Sequence, residues 1–308
     1  MMLPTGLSLS TRNALAEALP NANFDSAVLV GEGYGLVGFR VPDPTGDWAV
    51  RIPQPQASRA ISNLKLEAKL LPSLENAITT ETPRKSNLVY DNEGTVIAAI
   101  HRFIDGNPPS SRSIRGARRE RLAAQIATFF KELHSFSLAK ARRLEARTVD
   151  LWPDLYQPLI TKTLPHLGRA GRTWLKTRAL EFERGGATAE APRVLIHGDI
   201  AGEHLLLDAD SNLAGVIDFG DAMIADPALD FAGILNDFSW PFLERLLAHY
   251  GPIDSGLRER ARFYIDVVPI FQVQYGEHIR NGAERLTGIR RISARARYNM
   301  QAHSRLVT

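Results

Sequence analysis

The sequence predicts an α+β protein of two lobes, a small lobe of antiparallel strands followed by a larger, mainly helical one. Three observations carry this prediction. The first hundred or so residues break into short β-rich runs separated by Gly, Pro, Asn and Asp, the punctuation of hairpins. Beyond Ile104 the apolar period becomes helical, as in "RERLAAQIATFFKELHSF", where Leu122, Ile126, Phe129, Phe130 and Leu133 share one face. Between the two regimes lies "DGNPPSS", residues 105–111, whose turn formers read as an interlobe linker. The lobes are therefore placed at residues 1–104 and 105–308.

In the small lobe, "SAVLVGEGYGLVGFRV" is two β-type runs around a glycine cluster, "PDPTGD" is a turn, and "WAVRIP" is a strand ended by Pro53. "SRAISNLKLEAKLLP" places Ile61, Leu64, Ala68 and Leu71 at helical spacing, with Pro72 as the expected stop. "SNLVY" and "TVIAAIHRFI" read as strands joined by the turn Asp91-Asn92-Glu93-Gly94. In the large lobe "RVLIH", "HLLLD" and "LAGVIDF" are short β-type runs, and the remainder to Arg297 reads as mainly helical. No internal repeat or low-complexity segment interrupts the pattern.

Composition narrows the function. With 44% hydrophobic and 23% charged residues the chain is ordinary for a globular protein. It has no cysteine, which excludes disulfides, thiolate metal sites and cysteine nucleophiles. No basic segment leads into a long apolar run at the N-terminus, and no stretch approaches eighteen apolar residues, so a cytoplasmic protein with no membrane partner is expected. The net charge is only +3, but residues 195–285 hold fifteen Asp and Glu against six Arg and no Lys, while residues 286–308 hold five Arg and no acid. The acidic stretch is either a solvated surface or a site for metal ions or a cationic substrate. The basic tail lacks interleaved aromatics, so no nucleic-acid partner is expected.

The cluster Gly31-Glu32-Gly33-Tyr34-Gly35 lies between two strands rather than between a strand and a helix, which argues against a dinucleotide fingerprint. It is a plain turn, or a hairpin whose bare backbone approaches phosphates. Arg51 follows on the next strand and Glu67 on the next helix. They are either unrelated surface charges or a cation and carboxylate that hold phosphates. Arginine there is permanently charged and can grip a phosphate bidentately.

"VLIHGDIAGEHLLLD" sets His197-Gly198-Asp199 between apolar runs, with His204 five residues after Asp199. Two histidines around an aspartate suggest zinc, but a partner loop at Asp218 changes that reading. Two carboxylates on neighbouring loops suit phosphoryl transfer: one accepts a hydroxyl proton while the other holds Mg²⁺ against nucleotide phosphates. A kinase catalytic loop carries Asn five positions after its Asp and then Asp-Phe-Gly. Here His204 fills the fifth position, and Asp218-Phe219-Gly220 follows.

Together "GEGYG", the "ELHS" closing the first large-lobe helix, "HGDIAGEHLLLD" and "VIDFGDAMIADPALDF" resemble the aminoglycoside phosphotransferase superfamily, small-molecule relatives of protein kinases, across Gly31 to Phe231. "HLLLD" with "IDFGDA" is similar to aminoglycoside 2''-phosphotransferases, and "WAVRIP" with "ADPALDFAG" to macrolide 2'-phosphotransferases, in which Arg fills the lysine position. The resemblance implies a bilobal protein-kinase-like fold and Mg²⁺-dependent transfer from ATP or GTP to an antibiotic hydroxyl, in a monomer. Gly31, Gly33, Gly35, Arg51 and Glu67 would hold the nucleotide phosphates, and His101, Arg102 and Phe103 would present backbone groups to the purine. Asp199 would be the general base or orient the hydroxyl, and Asp218 the Mg²⁺ ligand.

Some roles stay open at this level. His204 is a weak ligand for a hard cation, or it hydrogen-bonds Asp199 or Asp218. His197 is expected to pack beneath the loop against backbone, and Asp226 and Asp230 to be structural. His134 of "ELHS" either orients the catalytic loop or is a core histidine. Asp237, Tyr275, Glu277 and Glu284 are the expected acceptor contacts, and the acidic excess favours an aminoglycoside. A macrolide kinase, a kinase of a small alcohol such as homoserine or choline, and a non-catalytic nucleotide-binding module are the rivals.

Overall fold

The structure, a computed structural model, describes residues 9–33, 35–54, 58–109, 114–185 and 191–306. Helix α1 (Leu9–Ala18) precedes β1 (Val28–Gly33), β2 (Leu36–Val41), β3 (Trp48–Pro53), helix α2 (Ser58–Leu74), β4 (Asn87–Tyr90) and β5 (Val96–Arg102). The five strands form one antiparallel sheet in the order β1-β2-β3-β5-β4. Strand alternation sorts its side chains. Phe39, Val41, Val50, Ile52, Ala98 and Ile100 join Leu15 of α1 and Leu19 just after it in one buried cluster. Ala49 opposite His101, and Arg51 opposite Ala99, fall on the other face.

The large lobe holds α3 (Gly116–His134), α4 (Leu138–Arg143), a π-helical turn leading into α5 (Gln157–Thr163), α6 (Arg169–Arg184), the short strands β6 (Val194–Ile196), β7 (Leu205–Leu207), β8 (Leu213–Val216) and β9 (Met223–Ala225), and then α7 (Ala228–Asp237), α8 (Trp240–Tyr250), α9 (Leu257–Val267), α10 (Pro269–His278) and α11 (Gly282–Leu306). Strand β6 pairs with β9 and β7 with β8, so the β insert is two small ladders. The strand expected over "LAGVIDF" stops at Val216, which leaves Asp218 in a loop. Helix α11 continues past Arg297, where no Gly or Pro stops it. No helix among the described residues is long and apolar enough to cross a membrane.

Two departures from the sequence reading position the site. Pro72 does not end α2, which runs on to Leu74. A proline in a helix costs about 3 kcal/mol, but Leu70, Leu71 and Leu74 are fully buried, each worth about 1.5–3 kcal/mol. These leucines and Ile78 belong to the core of the large lobe, so α2 straddles both lobes. The segment read as a linker is also docked. Asn107 exchanges both backbone hydrogen bonds with Leu207 at 2.9 Å, and the Glu81 carbonyl accepts from Val216 N–H at 2.9 Å; Ser110 and Ser111 lie outside the described residues.

This seam demands glycine. A Cβ on Gly106 would stand 2.9 Å from Leu206 Cβ and 3.1 Å from the Leu207 carbonyl oxygen, and one on Gly215 2.8 Å from Ile104 Cγ2. Gly106→Ala should therefore cost about 1–3 kcal/mol, read as a lower urea midpoint with an unchanged m-value.

Candidate active site

Strand β6 delivers the His197-Gly198-Asp199 turn. Gly198 has φ +84°, and a Cβ there would fall 2.3 Å from the Asp221 carbonyl oxygen, so no other residue fits. The turn is held from below by Asp230 in the first turn of α7, which is fully buried. Its Oδ2 accepts from His197 N–H and its Oδ1 from Gly198 N–H, both at 2.9 Å. His134 Nε2 lies 3.2 Å from the same Oδ2. A carboxylate only accepts, so Nε2 carries the proton and His134 Nδ1 accepts from the Tyr250 hydroxyl at 3.0 Å. His134, which the sequence left between two roles, thus supports the loop through Asp230. His197 packs beneath it, fully buried, with Nε2–H donating to the Ile217 carbonyl at 3.0 Å. Burial holds its pKa below the ordinary value, so the ring is neutral.

Asp218 is left-handed, with φ 70° and ψ 62°, a conformation that costs a residue other than glycine about 1–3 kcal/mol. The surroundings over-determine it. Ile217 N–H donates to the His204 carbonyl at 3.0 Å, Phe219 N–H to Glu67 Oε1 at 3.1 Å, and Arg51 Nη2 to Asp218 Oδ1 at 2.7 Å. The other guanidinium nitrogen, Nη1, binds Glu67 Oε2. Arg51 and Glu67, which could have been unrelated charges, form a three-residue ion network with Asp218. Glu67 is 2% exposed; burial pushes its carboxyl up, against the pull of Arg51. Burial would also raise the Asp218 carboxyl, but Arg51 outweighs it and holds that group below its ordinary value.

His204 bonds neither carboxylate. Its Nδ1–H donates to the backbone carbonyl of Asp199 at 2.6 Å, so Nε2 is a bare acceptor 3.7 Å from Asp218 Oδ2. That is the tautomer a metal-binding imidazole needs. The pair fits a hard cation through Asp218 alone; the imidazole is a poorer match. Among the described residues no group of three or more His, Asp or Glu could close around a metal. Water and phosphate oxygens would complete the shell, as magnesium prefers. The Asp199 carboxylate makes no hydrogen bond to the described residues. Asp199 is an exposed residue, yet desolvation by the protein packed around its carboxyl, with Asp221, Asp218 and Glu203 adding to it, pushes that group up to about 7.

The other expected residues divide. Gly31 and Gly33 lie in the β1–β2 hairpin opposite Gly38 and Leu36, and Cβ atoms on them would meet nothing within 4 Å. Gly35 has φ +91°, and Tyr34 lies outside the described residues. Arg102 N–H is bonded to the Arg84 carbonyl at 2.8 Å and Phe103 N–H to that of Asp47 at 2.9 Å. Those two donors are occupied by the small lobe itself. The Arg102 guanidinium stacks on Trp48 at 3.9 Å and the Phe103 ring lies under Arg40 at 4.4 Å. Asp237 reaches the catalytic loop, accepting from Gly202 N–H at 2.5 Å. Glu277 pairs with Arg285 at 2.5 Å and Glu284 accepts from Gln272 at 2.9 Å. Both are engaged within the α10–α11 pair, which also carries Tyr275. Glu203, on the Asp199 loop, was not singled out in the sequence; its place directly before His204 was the available signal. A cavity of about 430 Å³ is lined by Leu235, Phe238, Trp240, Pro241, Arg262 and Asp266 among others. Leu235 lies two residues, about 200° of helix, from both Gly233 and Asp237, which face the catalytic loop, so this cavity is on the far side of α7 from Asp199.

A family model for phosphotransferase enzymes matches residues 27–264. The chain belongs to the phosphotransferase enzyme family. Viomycin phosphotransferase of Streptomyces vinaceus is 26% identical over 170 residues, 54% of this chain and 58% of that protein, so the match spans little over half of this relative. The fold is shared with the GDP and kanamycin complex of APH(2'')-IIIa at TM-score 0.84 and 23% identity, over 95% of this chain and 100% of that one. It is shared with macrolide 2'-phosphotransferase MphH of Brachybacterium faecium at TM-score 0.72 and 16% identity, over 92% and 98%. This family has the bilobal architecture that the sequence predicts.

Two predictions follow from the buried groups. Asp230→Ala strands two backbone N–H groups and the His134 donor, and should cost about 3–5 kcal/mol in chemical denaturation, far more than a surface Asp→Ala. His101 is buried, and burial holds its pKa down to about 4 from an ordinary 6.5. The unfolded chain therefore binds a proton that the folded one refuses. Stability is full above pH 6.5 and falls between pH 6.5 and about 4, by up to about 3 kcal/mol. His101→Gln should flatten the melting-temperature profile across that window.

Proposed function

We propose that the chain is a kinase that moves the γ-phosphoryl group of ATP or GTP to a hydroxyl of an antibiotic, with an aminoglycoside as the favoured acceptor. The observation that carries this is the unpaired Asp199 carboxylate beside a network, Arg51, Glu67 and Asp218, that joins both lobes at one point. The β1–β2 hairpin and Arg51 take the donor phosphates, with the guanidinium turning part of its charge from the carboxylates to the phosphate oxygens. Asp199 orients the acceptor hydroxyl and takes its proton. The new bond forms between the acceptor oxygen and the γ-phosphorus as the bond to the β-phosphate oxygen breaks, and the nucleoside diphosphate leaves. Mg²⁺ on Asp218, with His204 beside it, would neutralise charge on the phosphate oxygens. The protein does little covalent work in such a transfer; it positions the reactants and balances charge.

The acceptor class is argued from charge. Asp199, Glu203, Asp221 and Asp237 crowd the mouth of the cleft, and among the described residues Arg59, 2.9 Å from Asp221, is the one Lys or Arg paired with any of them. A polycationic acceptor complements that mouth. The apolar cavity behind α7 lies away from it and adds nothing for a macrolide ring.

The test is a panel of aminoglycosides, macrolides and small alcohols with each nucleotide, read by mass spectrometry. Phosphorylation of an aminoglycoside is expected, with Asp199→Ala lowering kcat by about 10²–10⁴ while nucleotide binding persists. Turnover only with macrolides or small alcohols overturns the acceptor class. Nucleotide binding without transfer to any acceptor makes the chain a binding module.

A further inference from the structure

On the donor reading above, we infer that His101 selects the purine, favouring adenine over guanine by presenting a bare ring nitrogen to the base edge. The place of the base follows from the sheet. Ala49 precedes Arg51 by two residues on β3, so both point to the cleft face of the sheet about 7 Å apart. His101 lies opposite Ala49, and Ala99 opposite Arg51. With phosphates on Arg51, a flat ring falls over the low strip made by the two alanines, and His101 closes its inner end.

The ring chemistry of His101 is fixed by one hydrogen bond. Nδ1 lies 3.0 Å from the Arg102 carbonyl oxygen. A carbonyl only accepts, so Nδ1 carries hydrogen, and a neutral imidazole has just one N–H. Nε2 is therefore an acceptor. The side chain is 7% exposed, and Nε2, on a residue that shares the cleft face with Ala49, has no hydrogen-bond partner among the described residues. Burial, reinforced by Arg51, keeps the ring neutral. The N–H groups of Arg102 and Phe103 are already taken, so neither donates to the base, whereas Nε2 can accept from it.

Adenine offers an amino donor at C6 where guanine offers an oxygen acceptor. Nε2 satisfies the first and faces the second acceptor to acceptor, a mismatch worth roughly tenfold or more in affinity.

The experiment is equilibrium binding of ADP, GDP and inosine diphosphate, which differs from ADP at C6 by an oxo group in place of the amine. Wild type is expected to bind ADP at least roughly tenfold tighter than either of the others, and His101→Leu to bring all three within about threefold. Equal affinities in wild type, a preference for GDP, or a ratio unchanged in His101→Leu would overturn the inference. The three-ligand series on wild type decides it even if the variant fails to fold. Binding of none of the three by folded wild type overturns the donor reading as well, which separates the two failures.

Discussion

The site depends on Arg51 standing between two carboxylates that come from different parts of the chain. Its guanidinium joins Glu67 on α2 and Asp218 on the loop after β8. A single cation cannot neutralise two acids, so the network carries a residual negative charge in a partly enclosed place. That charge is tolerable because Phe219 N–H supplies further positive potential. Arginine suits this better than lysine would: its fork reaches both partners at once and leaves edges from which phosphates can draw it.

Everything around the network is arranged so that it cannot drift. Helix α2 carries Glu67 and is anchored at its far end in the core of the large lobe by Leu70, Leu71 and Leu74. The Glu81 and Asn107 segments are stitched to β8 and β7 on the other side. Asp230 fixes the Asp199 turn through two backbone donors, and Gly198 and Gly233 let backbone approach where any side chain would collide. Within that frame Asp218 is held in a left-handed conformation that the chain would not adopt alone. The strain is local and the support is distributed, the usual arrangement where a carboxylate must be aimed.

The parts of this that the sequence revealed are those with local signals. Runs of β-type residues between turn formers marked the small-lobe strands, and glycine with aspartate at fixed spacing marked both loops. Pro72 was misread because a local stop signal competes with leucine burial that only the tertiary structure supplies. Strand β9, three residues long, is too short for any period to show. The occupied donors of Arg102 and Phe103 depend on carbonyls of Arg84 and Asp47, which no pattern within "IHRFI" discloses. The chain from Tyr250 through His134 to Asp230 links residues 116 and 96 positions apart, and the sequence showed its members without their connection. His204 was legible as an oddity; its tautomer required the Asp199 carbonyl to be located.

On the proposed function, Arg51 exchanges part of its carboxylate pairing for donor phosphates. The most direct measurement compares the affinities of ADP and adenosine in wild type and in Arg51→Met. The account predicts that ADP weakens by roughly ten- to hundredfold, the worth of charge-assisted hydrogen bonds, while adenosine, which has no phosphate, is nearly unaffected. An equal loss for both ligands, or none for ADP, would contradict it.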